Sequence, residues 1–522
     1  MKLSKANLVL IVSIVEVLSS FMGIAQTKTA QISPNIIFIL TDDQGWTSVS
    51  HTADPNIPES KSDFYQTPNM DKLAKMGVLF TQGYAPNPIC SPTRNSMMFG
   101  QNAARHLYNK DADWYKKTTE WLTIPRAIKK ANPDYKTAHF GKWHIAMEPK
   151  DAGFDYDEGM SSNAGGEMIS GEYLDFKTYT KMLDKYLIDN KIKNPTNMRR
   201  SGKGSYYWSD ENPKDIFGIT NRAIKYMKES ISEDKPFYVQ LSHYAAHVSL
   251  ISKKETIEYF KNKPVGERHS NPEFAAMLKD LDEGVGEILN FVKEMGIENN
   301  TYIFLMGDNG GTPALYQMGF VDENKELVDG KFTEIHQRNF PLRNGKHSFY
   351  EGGLRVPFIV FGPGIKAGRV SETPVSGLDF LPTFAELAGN KVEMPEEIDG
   401  GSLVPLLQDE SIETVERSSE VLIFHQSAHR APRSAIIKGE FKLIKYWSKE
   451  TKYENTPKVE LFNLANDISE NINLLENYPK KVKELETELN KFLKDVKAET
   501  GERDIEGAFY RLNEDLRIKQ LN

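Results

Sequence analysis

Cysteine is almost absent from this chain: Cys90 is the single one in 522 residues. A lone thiol cannot close an intramolecular disulfide, so it is either incidental or a reactive group. Long apolar runs are scarce as well, and beyond the N-terminal stretch none is apolar enough to span a membrane. An excess of positive charge is also missing. With 65 basic against 73 acidic residues the net charge is -8, which gives no general attraction to nucleic acid or anionic surfaces. Any anion bound here must be held by a local cluster of cations. No repeat of fixed period and no low-complexity tract interrupts the chain.

What is present begins with a leader. Lys2 and Lys5 precede an apolar run from Leu8 to Val17, followed by small residues at Gly23 and Ala25. This reads as a secretory signal peptide over residues 1–25, so an exported protein, periplasmic or secreted, is expected. A membrane anchor is the weaker reading because the run is short and Glu16 interrupts it. The roughly 500 remaining residues suit a large core with a satellite.

Short apolar runs recur, each ending in polar residues. Asn35 to Leu40 leads into Thr41-Asp-Asp-Gln-Gly45, and Thr301 to Met306 into Gly307-Asp-Asn-Gly-Gly311. Phe237 to Leu241 leads into Ser242-His-Tyr-Ala-Ala-His247, and Val356 to Val360 into Phe361-Gly-Pro-Gly364. Helical patterns lie between them, clearest from Pro272 to Met295, where Ala275, Leu278, Leu281, Val285, Leu289 and Val292 share one face. Strands alternating with helices predict an α/β fold with a mostly parallel, buried sheet. Ligands of such sheets sit beyond the carboxyl ends of the strands.

Two of those ends carry paired oxygen ligands, Asp42 with Asp43 and Asp308 with Asn309. A hard divalent cation such as calcium takes about six or more oxygens, which adjacent carboxylates past a buried strand can supply. Turn chemistry accounts for either pair alone, since Asp, Asn and Gly dominate turns. Cys90 precedes Ser91, a good N-cap, and Pro92, which suits a first helical turn. A helix is expected to run to Phe99 with Gly100 beyond it. The cysteine would then stand just before a helix N-terminus that favours an anion, with Arg94 adding positive charge. A small buried hydrophobe at a helix start is the competing account.

Cys90-Ser-Pro-Thr-Arg94, with Gly100 six residues on, resembles the signature of type I sulfatases of the alkaline phosphatase superfamily. Other segments are similar to that family's blocks in the same order: Tyr135-Lys-Thr-Ala-His-Phe-Gly-Lys-Trp-His144, Ala246-His247, and Lys346-His-Ser-Phe-Tyr-Glu-Gly-Gly-Leu-Arg-Val-Pro357. Leu378 to Phe384 resembles a late helix of its catalytic domain, and Ser434 to Ile444 with Glu460 to Asp467 resemble its C-terminal subdomain. Asp42, Asp43, Asp308 and Asn309 stand at its metal positions. The chain departs from the pattern at Met97-Met98-Phe99, at Ala246 where proline is usual, and at Val248-Ser249.

The resemblance implies that a maturation enzyme oxidises Cys90 to formylglycine (3-oxoalanine), whose hydrated aldehyde is the nucleophile. It implies Ca2+ held by Asp42, Asp43, Asp308, Asn309 and the oxygen of residue 90. Arg94 would favour the deprotonated hydroxyl, Lys142 and Lys346 would hold the sulfate, and His247 would protonate the leaving oxygen. His144 would then take a proton to expel sulfate. A phosphodiesterase or phosphonate hydrolase of the same superfamily, or a non-catalytic binder of sulfated glycans, are the alternatives.

The implied substrate is a sulfated oligosaccharide or polysaccharide of algal type, with ulvan and carrageenan as candidates. Arg199 and Arg200 lie in a stretch mixing cations with aromatics, from Asn197 to Trp208, which suits anionic sugar. His425, His429 and Arg430 are expected on a loop at the mouth of the site. His139 and His243 are expected to pack in or beside the sheet, and His347 at the rim. The fold expected is a catalytic domain over residues 32–416 and an α+β subdomain over 417–522. The subdomain would have antiparallel strands around Ala435–Tyr446 and Lys458–Asn463 and a helix from Pro479 to Val496.

Overall fold

The strand Asn35–Thr41 sets the architecture. All seven residues are buried; Ile37 and Ile39 enter one hydrophobic cluster, while Ile36, Phe38 and Leu40 enter another. Successive side chains leave a strand on opposite faces, so a run that is apolar throughout requires cover on both. Helix Pro272–Glu294 contributes to the first cluster through Ala275, Leu278, Leu281, Val285, Leu289 and Val292, as its periodicity predicts. Its start is fixed by the Asn271 side chain, which accepts from the amides of Glu273 and Phe274. Helix Phe380–Ala388 packs on the second face, with the Phe380 and Phe384 rings 4.6 and 5.9 Å from that of Phe38.

The computed structural model describes residues 33–106, 122–161, 198–201, 204–207, 211–247, 250–313, 315–317, 331–334, 337–427, 432–447 and 458–500. The expected leader lies outside them. Seven strands form the central sheet in the order Arg369–Ser371, Val78–Phe80, Phe358–Phe361, Thr301–Gly307, Asn35–Thr41, Phe237–Ser242 and Lys136–Gly141. Strand Phe358–Phe361 runs antiparallel to both neighbours, and the other pairings are parallel. This corrects one expectation: Gly362-Pro-Gly364 does not join the other polar strand ends. Phe358 pairs with Met306, so it is the segment before this strand that reaches the common edge.

A second, antiparallel sheet orders strands Leu422–Gln426, Arg433–Lys438, Phe441–Tyr446 and Val459–Asn463. The middle pair reverses at Gly439, whose φ of 58° suits a residue without Cβ. Helix Pro479–Asp495 buries Leu485, Leu489 and Leu493 in one cluster with Ile423, Ile436, Leu443 and Leu461. The opposite face meets Tyr84, Phe349 and Leu354. There the fully buried Lys442 Nζ binds Glu351 Oε1 at 2.8 Å and Glu470 Oε1 at 2.9 Å, while Arg355 Nε holds Glu351 Oε2 at 2.7 Å. The second sheet is thereby bonded to the segment that follows Lys346. Among the described residues no helix is long and apolar enough to cross a membrane.

Candidate active site

Four adjacent parallel strands deliver their polar ends to one place. Thr41 and Gly307 are in register, and the Asp308 amide donates to Thr41 O at 2.9 Å. Asp43 takes a φ of 55° and its amide donates to Asp308 Oδ1 at 3.1 Å, which turns the two pairs toward each other. On the other side the Asp42 amide donates to Ala245 O at 2.9 Å and the Ala246 amide to Asp42 O at 2.6 Å, bringing in the turn that carries His247. Lys142 follows the last strand, its amide donating to Ser242 O at 2.7 Å. That junction needs Gly141: its φ is 88°, and a Cβ there would stand 2.3 Å from Ser242 O.

Cys90 is the first residue of helix Cys90–Phe99 rather than the residue before it. Ile89, extended at φ -140° and ψ 138°, is the cap, and no side chain caps the helix. Ser91 is therefore inside the helix, and the expected cap moves two positions toward the N-terminus. The helix ends as expected, with Gly100 left-handed at φ 62°. One turn in, Arg94 Nε and Nη2 meet Asp308 Oδ2 at 3.0 and 2.9 Å, and Nη1 donates to Lys142 O at 2.7 Å. Lys142 pairs with Asp42, and Lys346 Nζ lies 2.7 Å from Asp43 Oδ1.

Three buried carboxylates thus face three buried cations. Burial opposes ionisation of Asp42 and Asp43, but Lys142 acting on the first and Lys346 on the second hold both below the usual range, Asp43 at about 2. Asp308 is pushed up to about 7 by burial and by the charge of Asp42, against the pull of Arg94. Burial also raises the Cys90 thiol, so an unmodified cysteine here is no thiolate. His144 is lowered to about 3, by burial first and then by Lys142 and Arg94. His247 is lowered to about 4, by burial first and then by Lys346; its Nε2 is 3.8 Å from Asp43 Oδ2.

The donor set fits a hard cation. Asp42 Oδ1 and Asn309 Oδ1 are buried and have no hydrogen-bond partner, an arrangement that costs free energy unless something accepts those lone pairs. Asn309 spends its amide on Asp43 Oδ1, at 2.8 Å, and on Gly310 O, at 3.0 Å, leaving its carbonyl oxygen for another ligand. One ligand atom each of Asp42, Cys90 and Asp308 lie within 4.8 Å of one another. Asp and Asn oxygens without a histidine cluster are the ligands calcium or magnesium prefers.

Asp42, Asp43, Cys90, Arg94, Lys142, His144, His247, Asp308 and Lys346 thus share one electrostatic cluster, to which Asn309 is hydrogen-bonded through Asp43. His425 does not join them. It sits within strand Leu422–Gln426, buried, with Nδ1 2.8 Å from Ser434 Oγ on the neighbouring strand and Nε2 3.1 Å from Glu499 O beyond the C-terminal helix, so both ring nitrogens are committed. The expectation of a sugar-facing loop fails there because the strand extends through residue 425. His429 and Arg430 lie outside the described residues. Arg199 and Arg200 stand on strand Met198–Ser201, paired with Gly204–Tyr207 in a hairpin separate from the central sheet. His139 and His243 are buried, His139 Nε2 being 3.1 Å from Ser242 Oγ. The motifs did not disclose Lys214 and Arg338. Lys214 bonds the backbone carbonyl of His247, and Arg338 Nη2 donates to Asp43 O at 3.1 Å. No local pattern marks either one among 65 basic residues.

Comparison with known proteins places the chain in a family. The family model described as Sulfatase matches residues 34–390, and one described as N-sulphoglucosamine sulphohydrolase, C-terminal, matches 344–499. A sulfatase of Formosa agariphila is 29% identical over 88% of this chain and 88% of its own length. The N-acetylgalactosamine-6-sulfatase of Rattus norvegicus is 28% identical over 72% of this chain and 66% of its own length. The crystal structure of Ps i-CgsB in complex with k-i-k-neocarrahexaose is 26% identical, with a TM-score of 0.65 over 94% of this chain and 99% of that one. The chain belongs to the sulfatase family and is a sulfuric ester hydrolase.

Proposed function

We propose that this sulfatase desulfates a carbohydrate, an algal-type polysaccharide or its oligosaccharides, with residue 90 as the nucleophilic position. The observation that carries the reading is the convergence of Lys142, Lys346 and Arg94 with Asp42 and Asp308 around a buried Cys90. Formylglycine made from Cys90 by a maturation enzyme would supply the attacking oxygen, and Ca2+ held by Asp42, Asp43, Asp308, Asn309 and that oxygen would supply positive charge.

The remaining chemistry belongs to the chain's own side chains. Three carboxylates face three basic groups, and a divalent ion held there would add positive charge for an anionic ester. Lys142 and Lys346 then have sulfate oxygens as alternative partners to Asp42 and Asp43. His247 donates a proton to the leaving oxygen; the incoming sulfate charge raises its proton affinity from the depressed value of the free site. His144, kept neutral by burial, accepts a proton. A signal peptide fits export, where such polymers are met. The likeness to a structure holding k-i-k-neocarrahexaose favours carrageenan oligosaccharides over ulvan.

The test is sulfate release by matured protein from carrageenan and ulvan oligosaccharides, beside turnover of a matched aryl sulfate and aryl phosphodiester. Preference for the sulfate ester, with release from at least one sulfated sugar, is expected. Faster turnover of the phosphodiester would transfer the site to phosphodiester chemistry.

A further inference from the structure

Lys214 approaches the site from the segment before helix Ile216–Ser232 and is only 1% exposed. Its Nζ donates to the backbone carbonyl of His247, and it lies close enough to Asp42, Asp43, Lys142 and Lys346 to feel each charge. An ammonium is strongly hydrated in water, so burying one needs surroundings that replace that hydration. The surroundings are built for it. Lys214 and Asp215 both adopt left-handed backbone, φ 53° and 56°, a conformation that is strained for a non-glycine residue. Asp215 is held by Arg222 Nη2 at 2.6 Å and Nη1 at 3.2 Å, and by Asn212 Nδ2 at 3.0 Å. Arg222 also pairs with Glu158, whose Oε2 accepts the amide of Gly141 at 2.7 Å. One buried ionic chain therefore braces both the turn carrying Lys214 and the strand end carrying Lys142.

His247 needs such bracing. It ends a turn, its amide donating to Tyr244 O at 3.1 Å, and is not itself in a strand. We propose that Lys214 is a positioning residue for the proton donor, holding the His247 peptide, and through it the imidazole, where the leaving oxygen departs. This rests on the reading of His247 as the donor. A donor must lie within hydrogen-bond reach of the oxygen it protonates, and a displacement of about 1 Å can cost about 10² in rate.

Matured wild type, Lys214→Met, Lys214→Arg, His247→Ala and the Lys214→Met/His247→Ala double variant are to be compared on an aryl sulfate and on a sugar sulfate. Lys214→Met should lower kcat on the sugar sulfate by about 10- to 100-fold, with a much smaller loss on the aryl ester and little change in KM. In the His247→Ala background the same substitution should cost nothing further, and Lys214→Arg, which keeps a donor, should recover most of the loss. Equal losses on the two esters in Lys214→Met, or a full additional loss in the double variant, would overturn the proposal. Should thermal unfolding show that Lys214→Met does not fold, Lys214→Leu carries the test: a loss selective for the sugar sulfate supports the proposal, and an unselective loss or none overturns it. The two readings separate cleanly. Equal losses on both esters in His247→Ala itself sink the donor role, whereas selectivity there with additive losses in the double variant sinks the role of Lys214 alone.

Discussion

On the proposed reading the two histidines divide the proton work, and leaving-group chemistry can tell them apart. A sugar alkoxide needs a proton as it departs and a phenolate hardly does. His247→Ala should therefore damage sugar sulfates far more than aryl sulfates, by a factor in the range of about 10² to 10⁴. His144→Ala should allow the first step and stall the second, so single-turnover mass spectrometry should find sulfate retained on residue 90. No adduct in His144→Ala, or equal losses on both esters in His247→Ala, would leave these residues as binding or structural groups. The oxygen cluster makes its own prediction: replacing Asp42 and Asp308 together by alanine should abolish both turnover and bound calcium measured by elemental analysis. Zinc should substitute poorly because the site offers hard oxygens. Unchanged calcium content would show the metal assignment to be wrong. His425, with one nitrogen bonded within the second sheet and the other to Glu499 O, should behave differently: His425→Ala should lower thermal stability and leave KM unaltered.

At the scale of elements, a buried ionic seam joins the second sheet to the segment that follows Lys346. Lys442 lies between Glu351 and Glu470, and Glu351 belongs to the segment that continues from Lys346. Removing the cation from a buried pair leaves uncompensated carboxylates, so Lys442→Met should cost about 3–5 kcal/mol by denaturant unfolding. Burial alone would raise the Glu351 carboxyl, but Lys442 and Arg355 hold it at about 2, below its ordinary 4.5. A depressed carboxyl contributes stability that is complete above pH 4.5 and is lost as pH falls toward 2. The stability gap between wild type and Glu351→Gln should therefore close over that window; a gap that widens on acidification would contradict the assignment. This seam was not legible in the sequence, because Lys442, Glu351 and Glu470 are distant in the chain and only pairing of the second sheet joins them. The helix Pro272–Glu294 and the strand ends at Asp42 and Asp308 were legible, since periodicity and polar punctuation are local signals. The direction of Phe358–Phe361 was not, because an apolar run reads alike whichever way the strand points. His425 was misplaced for a related reason: its polarity suggested a loop, and only cross-strand partners reveal a buried histidine.

For the whole molecule, a net charge of -8 gives a sulfated polymer no long-range attraction, so capture depends on the local cations. Moderate salt should then leave kcat/KM for a sulfated oligosaccharide level or slightly raised, as screening weakens bulk repulsion. A steep fall with salt would point to a basic docking surface instead. Calcium, if it binds only the folded protein, should also raise the melting temperature in proportion to the logarithm of its concentration above the dissociation constant. The central claim, that residue 90 must be converted from cysteine before this sulfatase can work, has a direct test. Preparations with graded conversion of Cys90, quantified by mass spectrometry of the peptide containing it, are assayed for sulfate release from an aryl sulfate. The account predicts turnover proportional to the converted fraction, with a zero intercept and no activity in Cys90→Ala. Activity in a preparation whose residue 90 is entirely unmodified cysteine, or full activity in Cys90→Ala, would contradict it.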